Sequence, residues 1–127
     1  MRNIILLAFA GVLSIGTAQA DGKLNIYNWS DYIAEDTIAN FKAETGIDVT
    51  YDVYDSNEIL EAKMSAGSSG YDLVVPTADF LARGRQAGVY AEMDFSRIPN
   101  AKNQSAQVQA LANKQMKDDK SGLVYMW

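Results

Sequence analysis

Three strand-like runs, each followed by a stretch at helical spacing, constrain this chain more than any other feature. Residues 23–28 alternate apolar and polar, with Leu24 and Ile26 on one face, as a strand does. Ile33, Ala34, Ile38 and Phe41 then fall at helical spacing over residues 33–45. Glu35 and Asp36 lie near the start of that stretch and Gly46 just past its end, where helix chemistry prefers them. Ile47, Val49, Tyr51 and Val53 alternate with Asp48, Thr50 and Asp52, which predicts a second strand. Asp55 and Glu58 have the spacing of a capping box ahead of Ile59, Leu60 and Met64, and this helix stops in the Gly- and Ser-rich stretch 66–70. Residues 71–75 form a short apolar run closed by Pro76, the pattern of a buried parallel strand. Residues 78–87 predict a third helix, ended by Gly88.

The order βαβαβα predicts an α/β fold, a parallel sheet with helices on both faces. Right-handed crossovers place the first strand between the second and the third. Ligands of open α/β sheets bind where the strand order reverses, outside the carboxyl ends of the strands. Two segments meet there, residues 28–32 and residues 76–80. They carry Trp29, Ser30, Asp31 and Tyr32 on one side and Thr77 and Asp79 on the other. Aromatic faces beside carboxylates suit an organic ammonium ion: the rings attract the cation, and the carboxylates accept its N–H bonds. Each residue also has a plain structural use. Trp29 and Tyr32 are candidates for core or rim packing, Asp31 for the cap of the first helix and Thr77 for the cap of the third.

Beyond Gly88 the pattern weakens. Residues 89–91 suggest a short strand, residues 98–100 a turn, residues 104–115 a helix, residues 117–122 a polar turn and residues 123–127 a strand. A chain that stops on Met126 and Trp127 inside a strand reads as a fragment, because both side chains favour burial.

Composition removes whole chemistries. The 127 residues include no Cys and no His, so disulfides, Cys nucleophiles, Ser-His-Asp triads and His- or Cys-ligated zinc are excluded. A net charge of -5 with scattered Lys and Arg argues against nucleic acid or acidic lipid as a partner. Arg2, the apolar run 4–15 and the Ala18-Gln19-Ala20 ending predict a secretory signal peptide over residues 1–20, with no Cys after it to carry a lipid. Gly67-Ser68-Ser69-Gly70 lacks the Gly-Lys-Ser/Thr ending of a phosphate loop, and Asp52, Asp55 and Glu58 lack calcium-loop spacing. Two sequons, at Asn28 and Asn103, match a short pattern. No acid pair stands out for glycoside hydrolysis.

The runs 26–33 (IYNWSDYI), 51–58 (YDVYDSNE) and 70–76 (GYDLVVP) resemble the periplasmic polyamine-binding proteins of ABC importers, most closely the putrescine-type branch. The resemblance covers residues 23–99 and resumes at Tyr125-Met126-Trp127. It implies a periplasmic-binding-protein-like (type II) lobe, with residues 21–127 as part of the N-terminal lobe of a two-lobed receptor. It also implies a non-enzymatic, monomeric periplasmic protein without cofactor or metal. Such a receptor captures putrescine or spermidine and delivers it to a membrane permease. By position, Trp29 resembles the Trp that packs on the polyamine carbon chain, Ser30 and Tyr32 line the same pocket, and Asp31 matches an acid there. Thr77 stands where a cleft Ser is usual, and Asp79 at a position that varies with polyamine preference. Val124 stands where a Pro often precedes the Tyr-x-Trp run. The alternatives are the same scaffold with another cationic or amino-acid-like solute, and a secreted carboxylate-dependent hydrolase.

Overall fold

A computed structural model of the chain describes residues 22–67, 69–117 and 122–124. The predicted signal peptide and the end of the predicted last strand, residues 125–127, lie outside them, as does most of the predicted turn 117–122.

Strands β1 (Lys23–Trp29), β2 (Asp48–Tyr54) and β3 (Leu73–Val74) form one parallel sheet in the order β2-β1-β3. This is the order that right-handed crossovers require, and it puts the reversal between β1 and β3. Helices α1 (Thr37–Thr45), α2 (Asn57–Ser65) and α3 (Ala78–Gln86) follow the three strands, and α4 (Ala106–Met116) comes last. The core lies where α2 covers the sheet: Leu60 and Met64 pack with Tyr27 and Tyr54, flanked by Trp29, Tyr71, Val74, Val89 and Tyr90. Leu60 is fully buried, so its truncation to Ala falls in the ~2–5 kcal/mol range of core cavities.

Several boundaries differ from the sequence reading, each for a local reason. Helix α1 starts at Thr37 rather than Ile33, because Asp31 adopts a left-handed φ of 61° and the Thr37 N–H closes a separate turn onto the Ala34 carbonyl at 3.0 Å. Asp36, not Asp31, stands at its N-cap. Helix α2 is capped by Ser56, whose hydroxyl accepts from the Ile59 N–H at 3.3 Å. The predicted Asp55–Glu58 box is therefore out of register by one residue. Strand β3 is cut from five residues to two at both ends. On one side the Asp72 carboxylate takes the Asn25 N–H at 2.9 Å in place of a ladder carbonyl. On the other the Val75 carbonyl accepts side-chain donors from β1 and β2.

Residues 89–91 form no strand, because their backbone closes α3. Gly88, at φ 74°, lets its own N–H reach the Arg85 carbonyl and the Val89 N–H reach the Gly84 carbonyl, a Schellman ending. The turn at residues 98–100 is drawn into two 3-10 helices, Phe95–Arg97 and Pro99–Asn103. Leu123 and Val124 are not in a strand; the Gln109 side-chain amide instead holds the Gly122 carbonyl and the Val124 N–H.

Candidate functional site

The parallel register ends together at the carboxyl ends of β1 and β2, where Trp29 pairs with Tyr54. Trp29 is half-buried, and its indole N–H donates to the Val75 carbonyl at 2.8 Å. The buried Tyr54 hydroxyl donates to the same carbonyl. One backbone oxygen after β3 thus ties together the ends of all three strands. The Trp29 ring lies 4.7 Å from Tyr54 and 6.0 Å from Tyr32, both tilted, which are packing distances for aromatic pairs. Burial, reinforced by neighbouring phenols, pushes the Tyr54 hydroxyl well above its ordinary pKa, so it is a permanent donor at neutral pH.

Backbone geometry sets the rest of the first segment. The Trp29 N–H donates to the Asn28 side chain at 2.8 Å, and the buried Asn28 donates in turn to Tyr51 at 3.0 Å. Ser30 is exposed and pairs through its backbone with Tyr54 at 3.2 Å. Asp31 is exposed at its left-handed turn, a conformation that Asp tolerates better than most residues. Tyr32 stands at the rim.

The second segment is held by polar contacts. The Asn57 side chain, in the first turn of α2, accepts from the Thr77 N–H at 3.1 Å. Thr77 occupies the N-cap position of α3 without capping it; its hydroxyl donates to Asp79 at 2.6 Å. That bond holds the Asp79 carboxyl below the usual carboxylate range against a smaller opposing effect of burial, helped by N–H groups of the helix start and by Arg83. Asp79 is therefore ionised at neutral pH and exposed.

The Val75 junction brings Trp29, Tyr32 and the root of the Thr77–Asp79 turn into one corner. Ser30 and Asp31 are exposed on the first loop, and among the described residues no hydrogen bond or ion pair joins them to Thr77 or Asp79. Three participants escaped the sequence reading: Tyr54, Asn57 and the Val75 carbonyl. Tyr54 sits on the opposite strand face from Val49, Tyr51 and Val53, the stripe that suggested burial, and Val53 is half exposed. The signal available was the rule that parallel strands between helices are covered on both faces. Among the described residues no cluster of acids has the make-up of a metal site, and no helix is long and apolar enough to cross a membrane. A small cavity of about 40 Å³ lies between α2 and α3, lined by Glu61, Met64, Phe80, Gly84 and Tyr90 among others, and contains none of the predicted site residues.

Comparison with known proteins gives the family. The family model described as "Hypothetical lipoprotein (MG045 family)" matches residues 1–121. The chain is 54% identical over 116 residues to the putrescine-binding periplasmic protein PotF of Escherichia coli, covering 91% of this chain and 31% of that protein. It is 47% identical over 127 residues to the putrescine-binding periplasmic protein SpuD of Pseudomonas aeruginosa, covering 99% of this chain and 35% of that one. The crystal structure of the Tp0655 (TpPotD) lipoprotein of Treponema pallidum superposes with a TM-score of 0.69 at 38% identity, over 75% of this chain and 30% of that one. The chain spans about a third of the length of these relatives. It belongs to the MG045 lipoprotein family and is a homologue of the periplasmic putrescine- and spermidine-binding proteins, with their periplasmic-binding-protein-like α/β fold.

Proposed function

We propose that this chain supplies one wall of the amine-binding cleft of an extracytoplasmic, non-enzymatic receptor, which captures putrescine or spermidine and passes it to the permease of an ABC importer. Residues 1–20 are its cleaved signal peptide, and residues 21–127 belong to the first of two lobes that close on the ligand by a hinge motion. One observation carries the reading: the Trp29 ring is locked to Val75 beside Tyr32 and Tyr54, on the same corner as an ionised Asp79. A flat π face suits the methylene chain and ammonium of a diamine, and Asp79 accepts an N–H bond from the cation. Asp31, Ser30 and Thr77 complete the polar lining. The names of the relatives support the ligand class and the periplasmic location.

The test grafts residues 22–117 of this chain into the E. coli relative in place of its own segment, followed by titration calorimetry with putrescine and spermidine. Trp29→Ala should weaken binding about five- to thirtyfold, the equivalent of a desolvated cation–π contact of ~1–2 kcal/mol. Trp29→Ala should also weaken binding more than Tyr54→Phe. Unchanged affinity in the Trp29 variant contradicts the assignment. N-terminal sequencing of the exported protein should begin at Asp21, and retention of Met1 would count against the signal peptide.

A further inference from the structure

From Trp29, whose outer neighbour at the rim is Tyr32 at 6.0 Å, a row of closer aromatic contacts runs inward across the sheet. The Trp29 ring is 4.7 Å from Tyr54, Tyr54 is 4.8 Å from Tyr27, and Tyr27 stacks on Tyr71 at 4.7 Å with the planes 7° apart. Tyr27 and Tyr54 are buried, while the far end reaches the surface beside exposed Asp52 and Lys63. The two ends differ in what receives their protons. The Trp29 indole N–H and the Tyr54 O–H both point at the Val75 carbonyl, which is no base. The Tyr71 O–H points at the Asp52 carboxylate at 2.6 Å, which is one.

That asymmetry gives the row a direction for an electron hole. A phenol that loses an electron becomes a strong acid, so it oxidises readily only where a base takes the proton. Lys63 reinforces the point: its ammonium sits 4.7 Å from the Tyr27 centroid and 5.1 Å from that of Tyr71, and donates to the Tyr71 oxygen at 3.2 Å. A positive charge so placed opposes a cation radical on either ring. It does not oppose a neutral tyrosyl radical whose proton has left.

We propose that the row carries oxidising equivalents away from Trp29 to Tyr71, a protective activity independent of whether the corner binds an amine. A one-electron oxidant in solution removes an electron from Trp29, leaving its radical cation. An electron then tunnels in one step from Tyr71 to Trp29 across the Tyr27 and Tyr54 rings, neither of which is itself oxidised, restoring the indole as the Tyr71 proton moves to the Asp52 carboxylate. The products are a neutral Tyr71 radical and a protonated Asp52. A soluble thiol or ascorbate-type reductant supplies the electron that, with the proton returned from Asp52, restores the phenol at the accessible end.

The test is pulse radiolysis of the full chain with azide radical, which takes one electron from indole and leaves azide ion. A Trp127→Phe background makes Trp29 the lone tryptophan. The indole radical should decay as a tyrosyl radical grows, with one rate that does not depend on protein concentration. Tyr71→Phe keeps the stacked ring and should abolish most of that growth. Asp52→Asn keeps an acceptor but removes the base, and should slow the transfer, which should also be slower in heavy water. Near-UV circular dichroism matching the parent verifies that each variant keeps the row. Tyrosyl growth unchanged in Tyr71→Phe would assign the hole to another tyrosine and overturn the proposal. So would growth whose rate rises with protein concentration, or rates equal in Asp52→Asn and the parent.

Discussion

The two segments that meet at the carboxyl ends of β1 and β3 are held in place by different physics. The first is anchored by a ring: Trp29 packs on Tyr54 and reaches Val75 through its indole N–H. The second is anchored by polar contacts, Asn57 to the Thr77 backbone and the Thr77 hydroxyl to Asp79. Aromatic packing is insensitive to pH and salt over the neutral range, whereas exposed polar bonds are individually weak and tied to charge. In the proposed amine site, the ring is a fixed surface for a carbon chain and Asp79 a carboxylate for its charge. Among the described residues the two anchors share no hydrogen bond, so each can be removed while the other is kept.

Removing the ring should do the most damage. Trp29→Ala is expected to lower unfolding free energy in urea by about 2–3 kcal/mol, less than the ~3–5 of a fully buried aromatic because Trp29 is only half-buried. Tyr54→Phe keeps the ring and drops one donor to Val75, which still has the indole, and should cost about 1 kcal/mol. Asn57→Ala removes the acceptor of the Thr77 N–H at a solvent-accessible bond, and should cost about 1 kcal/mol or less. A loss from Asn57→Ala as large as that from Trp29→Ala would erase the distinction between the two anchors.

The pH dependence sharpens it further, because the anchors should fail at opposite ends of the scale. Asp79 titrates lower in the folded chain than in the unfolded one, chiefly through Thr77. Its small contribution is therefore present above the ordinary carboxylate range and is lost as pH falls through the folded value. Tyr54 titrates higher when folded, because burial disfavours the phenolate. Its contribution is present below the ordinary phenol value of about 10 and is lost as pH rises beyond it. Thr77→Val should bring the Asp79 carboxyl back toward the usual range, read by carboxyl NMR, and leave the alkaline limb unchanged. An alkaline limb that moves with Thr77→Val would mean the two anchors are coupled.

The sheet order was readable because three strands, three helices and right-handed crossovers leave few arrangements. The switch-point corner followed from it, and Trp29, Tyr32, Thr77 and Asp79 lie on the segments that Val75 joins. Side-chain substitution for backbone bonding was not readable. Asp72 replaces a ladder carbonyl, and Val75 gives its carbonyl to two side chains. Both shorten β3, and neither leaves a trace in hydrophobic spacing. The position of Asp31 depended on a left-handed turn, which Asp allows without demanding. After Gly88, backbone groups are claimed by the α3 ending and by Gln109, so residues 89–91 and, of the last apolar run, Leu123 and Val124 are not in strands.

In the proposed site the Trp29–Val75 corner and Asp79 bind the amine together, and NMR titration of the chain itself with putrescine reads both at once. One cation–π contact gives ~0.5–2 kcal/mol and one charged hydrogen bond ~1.5–3, against an association cost of ~4–15. Shifts of the Trp29 indole N–H and the Asp79 amide should therefore grow without saturating into the millimolar range, and the Asp79 shift should vanish in Trp29→Ala. Shifts that avoid both residues, or saturation tighter than about 100 μM, would contradict this reading.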